Sequence, residues 1–252
     1  MKNPSREPAS APAEFDGFAE NYEAVIAPFI NLTGENRDYF ARERIVWLAE
    51  QLRRLGVKPG SAMDYGCGTG ISAPLLLEML GLDSYVGVDI SERSLEVARG
   101  QCPSPKASFS VPEGRGLGEG VDLIYVNGVL HHVPPAERAP VMSYLSHSLK
   151  AGGILAFSEY NTWNPLLRLV MKLSPMDRNA VPLSPAEGCR LVQREGFEVL
   201  STSYLFFFPR ALSWFRRFEP KLARVPLGAQ YLILARKPPE SRPPLPAGTQ
   251  RE

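Results

Sequence analysis

The chain has 252 residues, a length that suits one large α/β domain with an elaboration or two small domains. Its composition is that of an ordinary water-soluble protein, and a net charge of +1 supplies no whole-molecule field toward nucleic acid or an anionic surface. The three cysteines, Cys67, Cys102 and Cys189, have neither paired nor zinc-like spacing, which points to a reduced, cytoplasmic setting.

Residues 1–13 are polar and proline-rich, lack the apolar core of a secretion signal, and are expected to form a disordered tail. Residues 238–252 read as a second such tail, leaving 14–237 as one domain. Within it, 14–56 reads as a helical cap of two helices. Ile45, Leu48, Leu52 and Leu55 recur on one face of the second helix, and Gly56 stops it. "SAMDYG", "SYVGVDI", "ASFSV", "VDLIYVNG" and "ILAFSEY" are predicted strands. They alternate with predicted helices in "ISAPLLLEML", "SLEVARGQ" (introduced by Ser91) and "AERAPVMSYLSHSLKAGG", the last closed by its glycines. This alternation implies a doubly wound, mostly parallel sheet, which binds ligands beyond the carboxyl ends of its strands. Residues 160–183 carry too many prolines and polar breaks for one regular element and read as a lid. A helix follows at "SPAEGCRLVQREGF", then strands at "EVLSTSYLFFF" and "AQYLILARK".

The loop after the first strand, "DYGCGTG", places Gly66, Gly68 and Gly70 after Asp64, which sits two residues before the first of them. A dinucleotide fingerprint spaces its glycines differently, and its pyrophosphate would meet a like charge at Asp64. A ligand with an amino-acid end suits the loop better. Its carboxylate can meet backbone N–H groups at the helix start, and its ammonium can meet Asp64, which is expected near the loop mouth.

These residues resemble the first motif of class I S-adenosylmethionine-dependent methyltransferases. "YVGVDIS" resembles the second motif, "FSVPE" the third, "VDLIYVNGVLHHVP" the fourth, and "LKAGGILAFSEYN" the region of the fifth strand. The resemblance runs from about Ala62 to Tyr160. It implies a Rossmann-like sheet of seven strands, with "AQYLILARK" inserted antiparallel near the edge, and S-adenosylmethionine as cofactor. It also implies that Asp89 holds the ribose hydroxyls, that Ile90 packs on the adenine, that Glu113 reaches the adenine amino group, and that Asn127 faces the methionine part. The opening "FAENYEAVI…GENRDYFARERI" resembles the helical segment that closes over the cofactor.

His131 and His132 are the candidate general bases, with His132 favoured; as neighbours in sequence they are expected to point apart. Packing under the loop and capping of a helix are the alternative roles for them. In the lid, Trp163 and Arg168 are candidates to enclose an acceptor, with a cavity expected between Trp163, Asn127 and His132. No residue set has metal-site spacing. From Tyr160 to Lys237 the chain has twelve bases against five acids, a net +7, together with many aromatic residues. That excess reads as a solvated basic face, as a lid for an anionic or aromatic acceptor, or, in "RALSWFRRFEPKL", as peripheral contact with a membrane surface. The missing N-P-P-[YF] signature disfavours nucleic acid bases as acceptors. The expected activity is methyl transfer to oxygen or carbon of a small-molecule or lipid-linked acceptor. An NAD-dependent oxidoreductase and a non-catalytic S-adenosylmethionine-binding scaffold are the alternatives, and the oligomeric state is left open.

Overall fold

The computed structural model describes residues 33–165, 167–168, 171 and 180–239. Residues 14–32 of the expected cap, much of the expected lid, and the two expected tails (save Pro238 and Pro239) therefore lie outside the described residues.

Helix α1, Arg37–Arg54, starts where the Asn36 side chain accepts the Tyr39 N–H, and it buries Ile45, Leu48 and Leu52 as their spacing requires. The parallel strands follow in alternation with helices: β1 (Ser61–Tyr65), α2 (Ser72–Leu80), β2 (Ser84–Val88), α3 (Glu92–Gln101), β3 (Ala107–Ser110), β4 (Val121–Asn127), α4 (Arg138–Ser148) and β5 (Leu149–Tyr160). Ser91 caps α3 by accepting from Ser94 N–H. The glycine-rich run after β3 forms turns and no helix, so β3 passes to β4 directly. Helix α4 ends before its glycines, because Leu149 already pairs with Val121 of β4 and begins β5.

Helix α5 (Pro185–Arg194) opens with a complete capping box between Ser184 and Glu187. Strand β6 (Glu198–Leu205) stops short of the phenylalanine run, where Phe206 takes a φ of 63°. A 3-10 helix, Arg210–Phe218, runs into the one-turn helix α6 (Glu219–Leu222), and β7 (Gln230–Arg236) completes the sheet.

The seven strands lie in the order β3-β2-β1-β4-β5-β7-β6, with β7 antiparallel to both its neighbours, as expected. The order reverses between β1 and β4, so the crevice there is the natural ligand site. Each face is buried. One packs Ala62, Tyr85, Leu123 and Ile154 beneath α1, α2 and α3; the other packs Met63, Ile124, Leu155 and Ile233 beneath α4 and α5. Because β6 is parallel to β5, the β6–β7 connection emerges at the same carboxyl edge, where Tyr160, Gln230 and Leu205 stand side by side.

Helix α5 reaches the sheet through Gly188. A Cβ there would meet the Tyr231 hydroxyl at 2.9 Å, Ile233 Cδ1 at 3.1 Å and Phe157 Cε1 at 3.2 Å. Alanine is the better helix former by about 1 kcal/mol, but overpacking a filled core costs about 1–3 kcal/mol. Gly188→Ala is therefore expected to lower stability by about 1 kcal/mol in urea denaturation, despite its higher helix propensity.

Candidate active site

The glycine loop that follows β1 turns back on itself, with φ of 74°, 53° and 80° at Gly66, Gly68 and Gly70. The three residues have different tasks. A Cβ on Gly66 would meet Val129 Cγ2 at 2.3 Å, and one on Gly70 would meet Ala98 Cβ at 2.8 Å, so both permit close packing. At Gly68 nothing lies within 4 Å of that position, and the loop backbone there faces open space.

Asp89 stands just past β2. Its Oδ2 accepts from Gly68 N–H at 2.8 Å and its Oδ1 from Ser91 N–H at 2.9 Å, which ties the β2 tip to the glycine loop. The cap of α3 is Ser91, so Asp89 does not fill that role. Ile90 beside it is exposed, a bulky apolar side chain at the mouth of the crevice. Glu113 is exposed in the turn after β3, and Asn127 ends β4 half-buried, paired in register with Ser158 of β5.

Asp64 corrects an expectation. It does not stand at the loop mouth but within β1, 3% exposed, on the face beneath α1. Its Oδ2 accepts from the Tyr85 hydroxyl at 3.0 Å. Burial pushes its carboxyl up to about 7; Asp89 adds to the rise, while Tyr85 and Arg44 oppose it.

The same face carries polar side chains that sequence reasoning missed. Arg44 of α1 is buried and donates to Gln230 Oε1 at 3.1 Å, yet its Nε has no hydrogen-bond partner among the described residues. The buried hydroxyl of Ser158 also lacks a partner there. Orphaned buried donors near a crevice mark a place for a polar ligand. Arg37, the first residue of α1, reaches Thr69 of the glycine loop at 3.3 Å. A helical pattern with arginines on its buried side was the available signal.

The histidine pair also departs from expectation, since the two rings lie 4.0 Å apart instead of pointing away from each other. The turn after β4 brings them together. His131 is 2% exposed, and its Nδ1 lies 2.6 Å from Glu159 Oε2. Glu159 is a buried acid in β5, and its Oε1 accepts N–H groups from Val129 (3.1 Å) and Leu130 (2.7 Å). Burial pushes this carboxyl up, but His131 and the surrounding N–H groups outweigh burial and hold it below the ordinary glutamate value. An ionised Glu159 requires the proton on His131 Nδ1. His131 thus packs under the loop, and His132 is the more accessible of the two. Arg138 fixes the turn further by donating to the carbonyls of Leu130, Val133 and Val181.

Trp163 and Arg168 are both exposed and share a cavity of about 550 Å³ with Met171, Pro182, Ser184 and Glu187. Neither Asn127 nor His132 lines it, so the cavity lies nearer α5 than expected. Among the described residues no group of side chains could hold a metal ion.

The elevated Asp64 carboxyl sets a pH dependence. Unfolded, it ionises near 3.9; folded, near 7. Between these values the native state holds the extra proton, so stability falls as pH rises. Denaturation at pH 5 and pH 8 is expected to show a smaller loss in Asp64→Asn than in the parent chain.

Residues 62–153 match a family model described as a methyltransferase domain. A trans-aconitate 2-methyltransferase of Rhizobium rhizogenes is 34% identical over 100 residues, 38% of this chain and 36% of that protein. Across the first curated relatives the chain spans 36% to 57% of their length. Among solved structures, a Haloferax volcanii methyltransferase bound to an activator protein aligns with a TM-score of 0.64 at 19% identity, covering 91% of this chain and 100% of that one. The Synechocystis magnesium protoporphyrin IX methyltransferase with bound SAH aligns at 0.60 and 17% identity, covering 88% and 96%. With the sheet order in agreement, residues 62–153 are similar to a methyltransferase domain, and the chain has the fold of these solved methyltransferases.

Proposed function

We propose that the chain transfers a methyl group from S-adenosylmethionine to an oxygen or carbon atom of a small-molecule or lipid-linked acceptor. The observation that carries this reading is the open space at Gly68, whose N–H donates to Asp89, together with a buried Arg44 Nε that has no partner among the described residues. These residues fit the cofactor. Asp89 would accept from the ribose hydroxyls, Ile90 would cover the adenine with Glu113 at its edge, and Arg37 and Arg44 would balance the carboxylate. Gly66 and Gly70 shape the loop, Asp64 supports the ammonium end from within the sheet, and Asn127 faces the methionine part. Bound S-adenosylmethionine supplies a methyl group already activated by a positively charged sulfur.

What remains for the protein is placement, worth roughly 7–11 kcal/mol of barrier when donor and nucleophile are aligned. His131, locked by Glu159, holds the turn that carries His132, and His132 would take the proton from an oxygen acceptor. Trp163 and Arg168 suit an acidic acceptor, and trans-aconitate, which curated relatives methylate, is of that kind.

Calorimetry is expected to show micromolar S-adenosylmethionine binding. Asp89→Ala should weaken it by about 1.5–3 kcal/mol. Gly68→Val should abolish it in a folded protein, because its side chain fills the cradle. Binding of NAD in place of S-adenosylmethionine would overturn the reading. The histidine cluster divides in a second way. Glu159→Ala should cost about 3–5 kcal/mol of stability, since it strands a buried histidine and two amides. His132→Ala should leave stability within about 1 kcal/mol and slow transfer to an oxygen acceptor about 100-fold. Equal stability losses in the two variants would remove the distinction drawn between the histidines.

A further inference from the structure

Eight of the ten exposed large apolar side chains among the described residues stand on connections at the carboxyl edge of the sheet; only Val46 on α1 and Leu55 just past its end lie elsewhere. Four of the eight, Leu212, Trp214, Phe215 and Phe218, fall in the 3-10 helix Arg210–Phe218, and Trp214 is 62% exposed. None of the residues in this helix is buried. A helix with so marked an apolar face ordinarily turns that face to the core.

The contacts that hold it are mainly polar and come from the side facing the protein. Arg216 pairs with Glu35 at 2.7 Å and donates to Phe208 O at 3.1 Å. Glu219 accepts the N–H groups of Phe207 and Phe208 at 3.2 and 3.1 Å. The helix is therefore fixed in place with its aromatic side chains outward. Over them lies Arg217, its guanidinium 3.8 Å from the Trp214 ring centre and 4.8 Å from that of Phe218. Lys221 and Arg224 are exposed nearby, and from 206 to 229 the chain has five bases and one acid, Glu219, which the backbone N–H groups engage.

We propose that residues 210–224 form an interfacial anchor that lays this aromatic face into the headgroup region of an anionic phospholipid bilayer. Bulky rings with overlying guanidinium and ammonium groups suit the boundary between headgroups and acyl chains. Charge argues against a second copy as occupant, because two such faces would bring Arg217, Lys221 and Arg224 against the same three cations. Nucleic acid would meet the charge but would leave four contiguous large apolar side chains without an apolar partner. The carboxyl edge, and the cofactor crevice with it, then faces the membrane. No helix among the described residues is long and apolar enough to cross one, so the contact is peripheral. The inference does not depend on the acceptor, and it is read without turnover.

The test is co-sedimentation of the full chain with phosphatidylcholine vesicles and with vesicles of equal parts phosphatidylcholine and phosphatidylglycerol. Binding to the anionic vesicles is expected, weakened by salt and about tenfold lower on the neutral ones. Trp214→Ala/Phe215→Ala and Arg217→Glu/Lys221→Glu should each weaken it about tenfold or more, with thermal unfolding and cofactor affinity unchanged. No sedimentation of the parent chain, or equal sedimentation of the variants, would overturn the proposal. So would tighter binding to an oligonucleotide than to anionic vesicles, or a dimer that the aromatic double variant abolishes.

Discussion

The amide of Gly68 donates to the carboxylate of Asp89 across the tips of two neighbouring parallel strands, and the ligand crevice depends on that bond. It requires a left-handed backbone at Gly68, a strand that delivers Asp89 opposite it, and close packing at both flanks of the loop. Gly66 and Gly70 meet the last requirement by leaving room for Val129 and Ala98. A side chain at either would push the loop away from β4 or from α3 and separate the bonded pair.

A second network holds the adjoining turn. Glu159 serves His131 and two backbone amides at once, so one buried carboxylate sets the path of the chain after β4. Burial of a charge is costly unless the charge is paired and hydrogen-bonded, and here it is both. The same carboxylate thereby fixes the turn that carries His132. The two networks sit at the ends of β1, β2, β4 and β5, where the strand order reverses and the parallel strands point their carboxyl ends at the same space.

The outer part of that edge follows different physics. Arg216 and Glu219 hold the connection between β6 and β7 by polar contacts, while Trp214, Phe215 and Phe218 stay exposed. Apolar area left outside a folded chain is stable there only if something else covers it in use or if it is small; this patch is contiguous and carries its own cations. It lies at the same carboxyl edge of the sheet as the glycine loop.

The sequence by itself determined the alternation of strands and helices, the glycine loop, the placement of Asp89 after β2, and the caps at Ser91 and Ser184. These depend on neighbours within a few residues: period, cap chemistry and turn chemistry are local. The antiparallel insertion of β7 came from family resemblance, since nothing local to "AQYLILARK" specifies its partners. Only the tertiary structure decided that Asp64 lies within the sheet under Tyr85, that Arg44 brings to the same face a nitrogen without a partner among the described residues, and that Glu159 locks His131. Arg44 and Gln230 are 186 positions apart, and His131 and Glu159 are 28 apart. No periodicity reports a contact made across a sheet. The same reason explains the aromatic helix: its composition was legible, but whether its rings turned inward or outward depended on which side the distant Glu35 would hold.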